Sequence, residues 1–123
     1  MSRMAPEGLE LAALLHDASE AYITDIASPI KQYLPDYQEV EHRIHQAIFD
    51  KFNLEYPMDP AIKVADLTML STEAHFLLPS KGNDWGIWRD GRPKVDPVYK
   101  PVGFDPRQGR TLFLDRFIEL TTW

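Results

Sequence analysis

The chain has 123 residues, a net charge of -6 and no cysteine. An acidic balance argues against broad binding to duplex nucleic acid, whose affinity comes from lysine and arginine neutralising phosphates. The absence of cysteine removes disulfides and thiolate metal sites and fits a cytoplasmic protein. No segment approaches the ~18 consecutive apolar residues of a membrane span, so no membrane is expected as a partner. The first eight residues lack the apolar stretch of a secretory leader. Length and composition fit one domain, 1–123.

In chain order, apolar spacing predicts a first helix over 6–22, with Pro6 in its opening turn and Leu9, Ala12, Ala13 and Leu15 as its stripe. Ser28-Pro29 predicts a short helical turn, with Ser28 as cap. A second long helix is expected over 36–52, with a buried stripe of Tyr37, Val40, Ile44, Ala47, Ile48 and Phe52. A third opens at Asp59-Pro60 and runs to Leu78, apolar on most sides and therefore central. Residues 79–104 hold no period and read as a long loop, of the kind that often covers a site. Asp105-Pro106 opens a last helix, 105–121, through Leu112, Leu114, Phe117 and Leu120. The expected fold is all-α, with 6–78 carrying the motif-bearing helices.

The chemistry concentrates in Leu14-Leu15-His16-Asp17-Ala18-Ser19-Glu20. An imidazole and a carboxylate side by side in an apolar helix offer ligands for a divalent cation, and burying them alone is costly. Glu20, four residues after His16 and three after Asp17, shares their side of the expected helix, and Asp25 follows just beyond. Asp66 lies between Ala65 and Leu67 in the most apolar helix. There it is either a cation ligand shared with the His16 pair or one half of an ordinary buried hydrogen bond or ion pair. Lys63, three residues earlier, is a candidate for a phosphate or a plain surface charge. Glu73 returns to the face of Asp66, whereas His75 falls opposite. His42 and His45, three apart, read as a solvated helix face rather than a zinc pair. Trp85, Trp88 and Arg89 either stack on a nucleobase or pin the loop to the core.

The string LLHDASEAYITDIASPIK, followed some forty residues later by KVADL, resembles the HD-domain metal-dependent phosphohydrolases. Within them it is most similar to small bacterial 5'-deoxynucleotidases and phage-type deoxynucleoside triphosphohydrolases. The resemblance implies a helical bundle holding one divalent ion, Mn, Co, Ni, Fe, Zn or Mg, and hydrolysis of a nucleotide phosphate. It implies His16, Asp17 and Asp66 as metal ligands, Glu20 and Asp25 as the acids acting on water and leaving group, and Lys31 near the substrate phosphate. The family's first histidine, on an upstream helix, has no counterpart among the fifteen residues before His16. A shortened chain, a ligand supplied from elsewhere, or a catalytically silent binding module would each account for that. A missing core helix also exposes apolar surface, so a homo-oligomer is expected.

Overall fold

The computed structural model of the chain describes residues 1–88 and 91–122 and is all-α, with no strand among the described residues. Five α-helices follow in order: α1 (Glu10–Leu14), α2 (Ser28–Lys31), α3 (Pro35–Lys51), α4 (Pro60–Leu77) and α5 (Pro106–Thr121), with 3-10 turns at Ala18–Ala21 and Pro97–Tyr99. None of these helices is long and apolar enough to cross a membrane.

Proline in the first turn of α3, α4 and α5 sets their starts, because its fixed φ suits a helix and its missing N–H removes a donor that would have no partner there. Asp59 caps α4 by accepting from the Ala61 amide at 2.8 Å. Asp105 caps α5 through a reciprocal pair, its carboxylate accepting from Gln108 N while the Gln108 side chain accepts from Asp105 N. Ser28 does not cap α2; it is the first helical residue and Ala27 precedes it.

The first helix departs most from expectation. It starts at Glu10, because Gly8 adopts φ +87° and turns the chain before it. It ends at Leu14, where the ring of His16 takes the Ala13 carbonyl at 2.8 Å. The backbone then tightens to i→i−3 bonds, Ala18 to Leu15, Glu20 to Asp17 and Tyr22 to Ser19. His16, Asp17 and Glu20 therefore do not share one α-helical face.

The core is small. Ala12, Leu15, Phe49 and Ile62 form its centre, with Phe52, Tyr56, Met58 and Phe117 packed against it. Phe117 meets Phe52 edge to face at 5.4 Å, docking α5 on α3. The buried row of α3 runs through Phe49, with Ile48 and Phe52 half-buried beside it, whereas Val40 and Ala47 from the expected stripe are exposed. On α4, Ile62, Ala65, Ser71, Thr72 and Ala74 are buried, but Val64 and Leu77 face out, so one side of this helix lies open.

Residues after α4 fold back on it rather than hanging free. The Arg92 guanidinium donates to Ser71 Oγ at 2.8 Å, to the Ser71 carbonyl at 3.0 Å and to Asn83 Oδ1 at 2.9 Å, and lies 5.2 Å from the Trp88 ring. Trp88 stacks on Trp85 and donates its indole N–H to the Gly82 carbonyl. Arg92 ties the segment to α4, and the tryptophans pack within the segment beside it; Arg89 lies outside the described residues.

Candidate metal centre

His16 sits where the chain leaves α1, its side chain 20% exposed. A backbone carbonyl only accepts, so the 2.8 Å contact to Ala13 O fixes the proton on Nδ1. That leaves Nε2 facing two carboxylates. Asp17 Oδ2 is 3.0 Å away and Asp66 Oδ1, from α4, is 3.7 Å away. Fifty residues of chain thus return to one ring nitrogen because Ala12 and Leu15 of the first segment and Ile62 of α4 share the same core.

Electrostatics follow the geometry. The His16 ring 3.7 Å away is the largest influence holding the Asp66 carboxyl down to about 2, against the opposing effect of burial and with help from Lys63. For His16, burial disfavours the charged ring, but the neighbouring Asp66 and Asp17 carboxylates outweigh it and its pKa is raised. A proton on Nε2 would bond Asp17 at 3.0 Å. A cation and that proton compete for the same lone pair.

The donor set fits a divalent ion in kind. Two ligands each about 2.1 Å from one ion stand ~3.0–3.6 Å apart for angles of 90–120°, and the two nitrogen–oxygen separations here are 3.0 and 3.7 Å. Among the described residues, no three His, Asp or Glu side chains are already gathered tightly enough to hold an ion. Asp66 also spends its second oxygen on Lys63 Nζ at 2.9 Å, so the ordinary ion-pair alternative for this acid is met. Lys63 is itself well exposed.

Glu20, Asp25 and Lys31 do not line the pocket at this centre, and Glu20 lies within electrostatic reach of His16, Asp17, Asp25 and Lys31. Glu20 is exposed; partial burial and the charges of Asp17 and Asp25 push its carboxyl up, against His16 and Lys31. Lys31 is not presented free. Its ammonium donates to Glu41 at 3.1 Å and stands 3.8 Å from Asp25. A phosphate reaching Lys31 therefore meets two carboxylates already there. The Tyr37 hydroxyl, on α3, donates to the Thr24 carbonyl and ties down the segment that carries Asp25.

An open pocket of about 300 Å³ leads from the centre along α4, lined by Met1, His16, Asp17, Asp66, Met69, Leu70 and Glu73. Glu73 is thus on the Asp66 face, as its spacing predicts. His45 was less legible. Its Nε2 lies 3.0 Å from Ser19 Oγ, its ring stacks on Tyr56, and its Nδ1 is buried without a partner. It is not part of a solvated face. The available signal was its place four residues before Phe49, on the buried row of α3. His42, beside it, is exposed and hydrogen-bonds Tyr56.

The chain is similar to the uncharacterized protein YfdR of Escherichia coli strain K12, 35% identical over 120 residues that make up 98% of this chain. It spans 66% of the length of that relative. No protein-family model matches the chain, and no solved structure matches it.

Proposed function

We propose that the chain is a metal-dependent phosphohydrolase acting on a nucleotide, with His16, Asp17 and Asp66 as protein ligands of one divalent ion. The observation that carries this reading is the aim of a single nitrogen. With Nδ1–H committed to Ala13 O, His16 turns Nε2 toward acids from two separate segments. A carbonyl that fixes the tautomer of an imidazole is the usual support of a ligating histidine. The extended His-Asp string and its resemblance to HD-domain enzymes point the same way.

A bound divalent ion would supply a more acidic water and neutralise phosphoryl oxygens. The chain's own groups do the rest. Glu20, its pKa raised, takes the proton from the attacking water. Lys31 exchanges one of its carboxylate partners for a phosphate oxygen, and Asp25 then stands free beside the leaving oxygen. The pocket walls Met69 and Leu70 offer apolar surface to a sugar or base, and Glu73 accepts from a sugar hydroxyl.

A second reading, a catalytically silent module that retains a partial site, is favoured by the lack of three ligands already gathered among the described residues. Equilibrium dialysis against Mn²⁺ or Co²⁺ and phosphate release from deoxynucleoside mono- and triphosphates separate the two. The enzyme reading expects metal binding and phosphate release, with Asp66→Asn cutting both by at least about a hundredfold. Metal or nucleotide binding without phosphate release selects the silent module. An Asp66→Asn chain that binds metal as well as the wild type removes the proposed ligand set.

A further inference from the structure

The segment from Asp17 to Lys31 carries acids and the lysine of the proposed site, yet it holds only a 3-10 turn and one turn of helix, and most of it is exposed. Such a segment keeps a reactive geometry only where something rigid fixes it. Helix α3 supplies that support through one row of side chains. Tyr37, Glu41, His45 and Phe49 follow at spacing four, so they share a ridge of the helix, and all are partly or fully buried. The first three each hold one point of the segment. The Tyr37 hydroxyl donates to the Thr24 carbonyl, Glu41 accepts from the Lys31 ammonium at 3.1 Å, and His45 Nε2 stands 3.0 Å from Ser19 Oγ.

His45 holds the point nearest the metal centre. Ser19 is 2% exposed, whereas Asp17 and Glu20 are exposed. Residues three apart eclipse in a 3-10 turn, and the Glu20 amide donates to the Asp17 carbonyl at 3.0 Å. Asp17 and Glu20 therefore share the outer edge of the turn, and Ser19 is the residue turned inward. The His45 ring is fixed in its own place, stacked on Tyr56 at 5.9 Å and edge to face with Phe49 at 6.2 Å. Burial pushes its pKa down, against the charges of Glu41 and Asp17, so the ring is neutral at pH 7. Its Nδ1 is buried without a hydrogen-bond partner among the described residues. A buried unpaired nitrogen costs free energy that an apolar side chain in the same place would not. Packing alone thus does not account for an imidazole here, and the bond to Ser19 does. Ser19 is closed to solvent and cannot meet a substrate, so the pair is not a nucleophile with its base.

Building on the metal-dependent reading above, we propose that His45 is a positioning residue: through Ser19 it sets the rotation of the 3-10 turn, and with it the aim of Asp17 at the ion and of Glu20 at the water. His45 lines neither the ion site nor the pocket beside it, so its effect passes through the Ser19 hydroxyl.

Two single variants and their combination test this, with Mn²⁺ affinity from equilibrium dialysis and phosphate release from deoxynucleoside mono- and triphosphates as readouts. Ser19→Ala and His45→Met should each lower Mn²⁺ affinity and kcat by about 10–100-fold, the effect of losing a support behind a metal ligand. KM for the nucleotide should change by less than about threefold. The double variant should be no worse than the more impaired single one. His45→Gln, whose amide reaches the place of Nε2 and can donate or accept there, should recover most of the loss. Urea unfolding separates a lost fold from a lost aim: His45→Gln and His45→Met should be equally stable yet differ in kcat. Single variants that match the wild type in metal affinity and turnover overturn the proposal. So does a His45→Gln chain as impaired as His45→Met, since the ring then serves packing, and so does a double variant whose losses add, since the two groups then act apart. If the wild type binds Mn²⁺ without releasing phosphate, the metal affinities decide alone. A wild type that does neither removes the metal-dependent reading and the proposal with it.

Discussion

Asp66 shows how one contact ties stability to acidity. The neighbouring His16 ring, with Lys63, holds its carboxyl at about 2, whereas an unfolded aspartate titrates near ~3.9. The folded chain therefore gains stability from this acid above about pH 4 and loses it as the pH falls toward 2. His16 acts in the opposite sense. Its pKa is raised once the two acids outweigh burial, so its share is present below about 6.5 and fades as the pH rises through the folded value. The Asp66 side chain is 36% exposed, so solvent screening reduces its share to on the order of 1 kcal/mol. Urea unfolding with chelator present should show the wild type losing that much more than Asp66→Asn between about pH 4.5 and about pH 2.5. Equal losses in the two proteins would mean that the carboxylate has no partner in the folded chain. Of the site, the pairing of His16 with Asp17 was legible because the residues are adjacent. The restraint on the ring was not, because it comes from a carbonyl that only the end of α1 exposes.

At the scale of elements, caps and prolines decide boundaries. Asp59-Pro60 and Asp105-Pro106 announce α4 and α5, and the structure places both within a residue or two of expectation. The first helix was read too long because apolar periodicity continues through 15–22 while the backbone does not. Gly8 and the His16 ring cut it at both ends. The segment after α4 depends on Gly82, which has φ +76° and leaves room for no side chain: a Cβ there would stand 2.8 Å from the Ala74 Cβ. Gly82→Ala should cost about 1–3 kcal/mol. It should also shift tryptophan emission, since the Gly82 carbonyl accepts from Trp88. A variant as stable as the wild type, with unchanged emission, would show that this turn is not seated against α4.

For the whole molecule, the small core makes stability depend on a few close contacts. Among the described residues, four of the seven buried apolar ones are alanines, Ala12, Ala13, Ala65 and Ala74, and Phe49 is the fully buried large apolar side chain.

The sequence by itself determined the helical class, the starts of α3 to α5 and the residue types around His16, because periodicity, caps and adjacent side chains are local properties. Only the tertiary structure decided that Asp66 meets His16, that Lys31 is held by Glu41 and Asp25, and that Val40 and Ala47 of the expected α3 stripe are exposed. Those outcomes depend on which elements share a core, and the packing of distant segments settles that where no local pattern can.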